Sequence, residues 1–414
     1  MAEIGWIDFS PTHRARVAAL LDALKAEGVV DELGIGTIRD SLADLMFPGL
    51  STIQTRAKYF FIIPYILCDY QNLSNAEKRK HPPNKYLERI EHDVMWELGD
   101  KYNHDPRSRS GVIGITKQRP EKIVRRPSEI YWSGLQTFQI IEHKGVGVES
   151  FLRLRTQNYA SQLSERYAGD DTPRDDADAE HDDVFRIRIE YDPAWRKNLK
   201  LHGMELTRNE ANTLAHRFRD AGHNLVLGEL MIKPEVRKYF LDSGDFATAA
   251  KLAFGSCSRA VQNVLRMAHD FSEVMYGAHM LYNHLLQKAK FGSDAYLHDI
   301  HAWHKSLRGQ LISYDTYDPH EILRHAPRTK PATQQFITAW WNLVSRPDLD
   351  MGNLGHLVTM QERHVKGHKA RLILNRLDDV SEERWIGLTQ LNYRLAQAKQ
   401  MISDIESGER NRRA

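Results

Sequence analysis

The parts of this sequence best suited to chemistry are two segments rich in lysine and arginine, because clustered cations bind phosphate groups. The first segment has eight cations and two acids between Lys101 and Arg126, and eight minus two gives a local net charge of +6. Its glycines and prolines predict a loop or hairpin with VIGI as a short strand, which is typical of the wing of a winged helix. We interpret it as a polyanion contact, the alternative being a solvated charged surface. The cations are Lys101, Arg107, Arg109, Lys117, Arg119, Lys122, Arg125 and Arg126.

A group of polar residues lies just before this segment, in a pattern that resembles a helix-turn-helix. The sequence predicts a helix over 36–47, a break at FPGL, and a second helix from Ser51, where Ser-x-x-Gln is typical of a capping box. On that second helix Arg56 and Tyr59 share one face, so they are candidates to contact phosphates or base edges. The alternative is that Arg56 pairs with an aspartate of the preceding helix.

The second basic segment, QERHVKGHKARLILNR, lies near the end of the chain. It carries five cations against Glu362, and five minus one gives a net charge of +4. It predicts either a phosphate or nucleic-acid contact or a belt of salt bridges between lobes. His364 and His368 have the spacing of two zinc ligands, but no glutamate stands between them as HExxH requires. The binding candidates here are Arg363, Lys366, Lys369 and Arg371.

A third group of residues, DAYLHDIHAWH, contains ligand types that suit zinc or manganese. The candidates are His298, His301 and His304. One amphipathic helix cannot direct all of them at a single ion, so we predict neither a metal nor another cofactor. The sequence also lacks a P-loop, a GxGxxG after a strand, a GxSxG elbow and a CxxC pair. No catalytic residue is therefore identified, although a site assembled from dispersed residues would be invisible in the sequence.

The overall composition is that of an ordinary globular protein. The formal net charge of the 414 residues is only +2, so any polyanion site must be local. The two cysteines, Cys68 and Cys257, are far apart and predicted to be buried, and such sparse use suits a reducing cytoplasm. The sequence MAEIGWIDFSPTHRAR does not have the pattern of a signal peptide. The apolar run YFFIIPYILC is too short to cross a bilayer and predicts a buried helix.

The elements that must position these residues are mainly helices. IGWIDFS predicts a short strand, Ser10 and Pro11 start a helix, and VFRIRIEY predicts another strand. The acidic segment 169–183 is typical of a solvated linker or loop. We therefore predict a mainly α fold of two helical lobes with a few short strands. The N-terminal lobe, 1–168, is helix-turn-helix or winged-helix-like, 169–185 is a linker or loop, and 186–414 forms the C-terminal helical lobe.

Several long blocks resemble a known family. The DELGIG block with FPGLSTIQTRAKYF, followed by RRPSEIYWSGLQTF and ERHVKGHKARLILNR, is similar to a bacterial and archaeal family of unknown function of about the same length as this chain. The resemblance implies a genomic association with phage-defence islands. It supplies no catalytic residues, and the acidic segment 169–183 has no counterpart in the pattern.

These observations favour a non-enzymatic DNA-binding or adaptor subunit of a prokaryotic anti-phage, restriction-like system. Its expected partners are DNA and other defence-system proteins, without a membrane, in the cytoplasm. One alternative is a metal-dependent nuclease or another enzyme that cleaves phosphodiesters. Another is a protein-binding scaffold whose basic segments dock onto acidic partners.

Overall fold

A computed structural model of the chain describes residues 31–108, 110–142, 145, 147–152, 186–382 and 384–411. The described residues are mainly helical, as the sequence predicts. The predicted first strand, the helix from Ser10 and the acidic segment 169–183 lie outside them. Within the described part of the chain, no helix is long and apolar enough to cross a membrane.

The helices are the main elements of the described residues, and the chain also has long segments between some of them, such as 102–126. In chain order they are α1 (Gly36–Met46), α2 (Tyr59–Gln71), α3 (Asn75–Lys80), α4 (Pro83–Lys101), α5 (Pro127–Thr137), α6 (Trp195–His202), α7 (Arg208–Ala221), α8 (Val226–Ile232), α9 (Pro234–Asp242), α10 (Phe246–Ala253), α11 (Arg259–Phe291), α12 (Leu297–Gln310), α13 (Pro319–His325), α14 (Pro331–Val344), α15 (Met351–Lys366) and α16 (Leu395–Arg410).

The chain forms two compact units, and neither is a single continuous stretch. The first contains the described residues up to Met46 together with Asn224–Val226 and Lys233–Leu395. The second contains the described residues of Phe47–His223, Leu227–Ile232 and Ala396–Ala414. The predicted division at 169–185 falls mostly on residues that are not described and stays a prediction.

The first unit is built around α11, a helix of 33 residues. Helices α1, α10, α12 and α15 pack against it. Trp303 and Trp340 donate their indole N–H groups to main-chain carbonyls of α11 at 3.1 and 3.0 Å, so two large aromatic side chains are buried without an unsatisfied donor. Gly292, with φ of +67°, ends the helix in the left-handed conformation that favours glycine.

The second unit is built around α2, which is buried on almost every side. It packs against α4 and α5, and its apolar sequence YFFIIPYILC confirms the predicted buried helix. Pro64 lies in its second turn without ending the helix. Cys68 and Cys257 are both buried, as predicted, the first in this unit and the second in the other.

The helix predicted from Ser51 begins instead at Tyr59, so that prediction is wrong. The Ser51 amide donates to the Gln54 side chain at 3.2 Å, but this bond closes a turn rather than a helical cap. The next amides bind tertiary partners: those of Thr55 and Arg56 donate to the Tyr131 hydroxyl at 2.8 and 2.9 Å. Because distant groups satisfy these donors, the segment does not need helical hydrogen bonds.

The strand predictions are also largely wrong. VIGI at 112–115 forms turns, with the Ile115 amide donating to the Val112 carbonyl at 3.3 Å. Of the predicted strand VFRIRIEY, Ile187 makes one isolated antiparallel bridge with Ile141. Residues 184–185 of this segment lie outside the described part of the chain, and no sheet is present among the described residues.

The Tyr131 hydroxyl offers a direct test of how the non-helical segment before α2 is held. We expect Tyr131→Phe to lower the free energy of unfolding by roughly 2–3 kcal/mol, because two part-buried amides lose their acceptor and the Arg56 carbonyl loses a donor. Urea denaturation measures the change. The control is Tyr239→Phe at a half-buried position in the first unit, expected to change stability by less than about 0.5 kcal/mol. Equal stability of the two variants would contradict this account.

Candidate nucleic-acid interface

Arg56 lies inside the second unit rather than on a DNA-facing surface. Its Nε donates to both carboxylate oxygens of Asp404 at 3.0 and 2.9 Å, and its terminal nitrogens donate to the carbonyls of Ser110 and Met204 at 2.8 and 3.3 Å. The side chain is 15% exposed. A guanidinium with this set of buried acceptors is not available to DNA, so the structural alternative holds. Its partner, however, is neither Asp40 nor Asp44 but a residue 348 positions away.

Tyr59 is buried as well, and the prediction that it faces DNA is wrong. Its hydroxyl accepts a hydrogen bond from the Ile113 amide at 2.9 Å, and burial raises the pKa of the phenol far above its ordinary value. Its ring lies 5.2 Å from that of Tyr131. Tyr59 therefore joins the first turn of α2 to the basic segment.

Arg56 and Tyr59 thus contact the predicted basic segment. They hold its backbone in place and do not form a shared DNA-binding surface with it. We call residues 105–125 the basic loop. Besides the bonds from Arg56 and Tyr59, the Thr55 hydroxyl donates to the Gly111 carbonyl at 2.6 Å. Gly111 has a φ of +67°, and a Cβ there would lie 2.6 Å from the Arg56 side chain. The loop has no helix or strand among its described residues, yet side chains of neighbouring elements fix its backbone.

The remaining anchors of the basic loop come from α4 and the turn after it. His104 hydrogen-bonds to the Ile115 carbonyl at 2.9 Å and to Asp100 at 3.0 Å. The Ile123 amide lies 3.3 Å from Nε2 of His92, which is buried in α4. The middle of the loop and its C-terminal end are therefore held against α4 and the turn after it.

The described cations of the basic loop are exposed, apart from the half-buried Lys117, and their ion pairs are weak surface interactions. Arg107 pairs with Asp105 at 3.1 Å, Lys117 with Glu121 at 2.8 Å, and Lys122 with Glu88 at 2.9 Å. Exposed pairs of this kind contribute about 0–1 kcal/mol, so a phosphate can replace the carboxylate at little cost. Arg125 is also exposed, whereas Arg109 lies outside the described residues. Lys101 lies at the end of α4 and donates to the carbonyls of Lys200 and Leu201.

Arg119 is positioned by an aromatic ring. Its guanidinium carbon lies 5.1 Å from the centre of the Trp96 ring, and the Trp96 indole donates to the Glu121 carbonyl at 3.2 Å. Stacking on an indole holds the cation without neutralising it. Sequence patterns do not predict this contact, because Trp96 belongs to α4, more than twenty residues earlier.

Arg126 is the exception among the basic residues and does not belong to the interface. It is 8% exposed, and it donates to Glu149 at 2.8 Å and Glu129 at 3.3 Å. The buried Glu91 lies 3.9 Å away and accepts from the Ser128 amide at 2.6 Å. Burial raises the pKa of Glu91 to about 7. This cluster fixes the start of α5, so the prediction of Arg126 as a DNA contact is wrong.

The second basic segment lies in the first unit. Some of its cations are also internal salt-bridge partners, and others are exposed. Lys366 and Arg371 both bind the Glu32 carboxylate, at 3.1 and 3.0 Å, and Glu32 is 1% exposed. Arg371 also pairs with Asp379 at 2.7 Å. These two cations are internal salt-bridge partners. Arg363 and Lys369 are exposed.

The three candidate histidines all lie on α12 and do not converge. The His298 side chain is 95% exposed, and His301 is exposed as well. Nε2 of His304 lies 3.1 and 3.0 Å from the carbonyls of Val344 and Arg346. Within the described ranges, no group of three potential ligands could hold a metal ion.

Comparison with known proteins assigns the chain to a family. Residues 1–407 match "Family of unknown function (DUF6361)". The chain belongs to this family. It matches no curated protein and no solved structure.

The DUF6361 match includes the basic loop, its anchoring residues and both compact units. The predicted resemblance to a family of unknown function is thereby confirmed. The association with phage defence does not follow from the match and stays a prediction.

Arg125 and Arg126 of this DUF6361 protein should contribute differently to its stability, and the difference can be measured. We expect Arg126→Met to lower the free energy of unfolding by roughly 2–4 kcal/mol, because it leaves Glu91 buried without its cation. Arg125→Met removes the same charge from an exposed neighbour and should change stability by less than about 0.5 kcal/mol. Thermal and urea denaturation of both variants provide the measurement. If Arg126→Met unfolds no more readily than Arg125→Met, Arg126 is not structural.

Proposed function

We propose that this protein binds the phosphate backbone of DNA through the basic loop and acts as a non-enzymatic DNA-binding or adaptor subunit of a prokaryotic defence system. The supporting observation is a set of exposed cations carried by a loop whose backbone is anchored at several points. The binding candidates are Arg107, Lys117, Arg119, Lys122 and Arg125.

The anchoring supports binding because it reduces the entropy lost when the loop meets a ligand. A flexible basic tail must be ordered on the DNA, whereas this loop keeps its backbone in place before contact. Its carboxylate partners Asp105, Glu121 and Glu88 are released at little cost. The gain comes from counterions set free from the DNA, as in other sequence-independent phosphate contacts.

The mode of binding differs from the one suggested by the sequence. Base readout through Arg56 and Tyr59 is replaced by contact with phosphates, because both side chains are buried and hold the loop instead. Phosphate contacts orient a protein on the duplex but carry no direct sequence information. The proposal therefore implies little sequence preference for this interface, with specificity left to partner proteins.

Titration of labelled duplex DNA over a salt series tests the proposal. With up to five cations in contact, the logarithm of the association constant should fall against the logarithm of salt concentration with a slope of roughly −3 to −4.5. Duplexes of unrelated sequence should bind with similar affinity. Absence of binding at low salt would overturn the proposal and favour a protein-binding scaffold.

A charge-reversal pair locates the interface. We expect Arg119→Glu with Arg125→Glu to weaken DNA binding roughly tenfold or more and to reduce the salt slope by about 2. The matched control is Arg324→Glu with Arg328→Glu, two exposed arginines of the first unit, which changes the net charge equally. Equal loss in both pairs would mean that total charge, not the basic loop, determines binding.

A further inference from the structure

A cleft on the second unit, away from the basic loop, has the chemistry of a ligand site. Its volume is about 290 Å³, which suits a small molecule or a single side chain. It lies between α2, the start of α7 and the segment that leads into α6. Its lining is aromatic on one side and polar on the other, and none of the lining residues belongs to the basic loop.

The aromatic side of the cleft is formed by the half-buried ring of Tyr191, packed against the buried ring of Tyr65, with the buried Phe61 beside them. The rings of Tyr65 and Tyr191 lie 6.2 Å apart at an interplanar angle of 70°. The Tyr191 hydroxyl donates to Asp69 at 2.5 Å, and the Trp195 indole donates to the same carboxylate at 3.1 Å. These bonds fix the Tyr191 ring before any ligand arrives.

The polar side of the cleft carries three carboxylates, and one of them is neutralised. Both oxygens of Glu210 accept from the buried Lys58 ammonium, at 2.7 and 2.6 Å. Asp192 is held by the Ala194 amide at 2.8 Å and by the Asn198 side chain at 2.9 Å. Both of these donors are neutral, so Asp192 is oriented without losing its charge.

Glu190 adds a second negative charge at the mouth of the cleft, where it is exposed. Within the described part of the chain, no ion pair involves Glu190 or Asp192. Lys58 and Glu210 cancel each other, which leaves the cleft with a local charge of about −2 at neutral pH. Such a cleft repels phosphates and attracts cations.

We propose that this cleft binds an organic cation, a guanidinium or primary ammonium group attached to a short alkyl chain. Aromatic faces attract such cations, and carboxylates accept their N–H donors. Asp192 would pair with the charged head, and the half-buried Tyr191 ring would contact the head and the alkyl chain. Asn198 and Thr213 supply further polar contacts within the same lining. The cation can be a free amine or an arginine or lysine side chain of a partner protein.

Calorimetric titration with butylguanidinium and butylurea tests the inference on the full chain. The two probes have similar shapes, but only the first is charged. We expect butylguanidinium to bind and butylurea to bind at least about tenfold more weakly. Equal binding of the two probes, or no binding of either, overturns the proposal.

Conservative variants identify the groups responsible. Asp192→Asn with Glu190→Gln keeps the shape of the cleft and should weaken butylguanidinium binding about tenfold or more. Glu235→Gln, an exposed acid of the first unit, removes one charge elsewhere and should leave binding unchanged. Unchanged affinity in the Asp192 and Glu190 double variant overturns the assignment. Circular dichroism and melting curves establish that each variant is folded.

The source of the cation is distinguished by a third probe. A tetrapeptide with one arginine flanked by alanines should bind more tightly than butylguanidinium if the natural ligand is a partner side chain. Weaker binding of the peptide than of butylguanidinium identifies a free amine instead. DNA affinity of the Asp192 and Glu190 double variant should match that of the unaltered protein, so this inference and the DNA-binding proposal fail independently.

Discussion

A single guanidinium, that of Arg56, joins four distant parts of the second unit. Its acceptors are the Asp404 carboxylate in α16, the Ser110 carbonyl in the basic loop and the Met204 carbonyl between α6 and α7. Asp404 also accepts the Ala57 amide at 2.8 Å, just before α2 begins. A buried pair contributes modestly when complete, but removal of one partner typically costs about 3–5 kcal/mol. Four separate segments of the second unit are therefore held together by one buried cluster of polar groups.

The basic loop is ordered because residues of a neighbouring segment hold its backbone. Loops with several glycines and prolines usually lose conformational entropy when they bind a ligand. Here Thr55, Arg56 and Tyr59 order the loop before binding. The residues that hold the loop are buried, whereas the cations it carries are exposed. One set of side chains therefore fixes the backbone of the loop, and a different set in the adjacent segment determines its surface charge. A substitution in the anchors would alter the shape of the loop, and one in the cations would alter only its charge.

Sequence patterns predict the start of a helix correctly where that start depends only on neighbouring residues. Thr207 caps α7 by accepting from the Glu210 amide at 3.2 Å, and Pro331 occupies the first turn of α14. Helical periodicity in the sequence predicts helices near 36–47, 84–100 and 128–140, and these correspond to α1, α4 and α5 within a few residues. The same periodicity predicts a final helix from about 388, but the helix starts at Leu395, because Tyr393 and Arg394 have positive φ values of 44° and 63°. Their conformation depends on packing that periodicity does not encode.

The errors have a common physical origin in partners that are distant along the chain. Ser51 and Gln54 satisfy the capping pattern, yet Tyr131 captures the next amides and prevents the helix. Arg126 and Arg125 are adjacent residues of the same charge, yet Arg126 is buried among Glu91, Glu129 and Glu149, whereas Arg125 is exposed. The cleft at Asp192 was not predicted at all, because its walls come from α2 and α7 as well as its own segment. No spacing rule connects such residues.

The pairing of Arg56 with Asp404 also sets an order of events during synthesis. The two residues are 348 positions apart, and ribosomes add roughly 5–20 residues per second. The Arg56 side chain therefore waits roughly 20–70 s after it is made before its carboxylate partner exists. During that interval the second unit cannot close, while most of the first unit, Lys233–Leu395, is completed. The second unit of a nascent chain therefore completes the packing around Arg56 only after Asp404 has been synthesised.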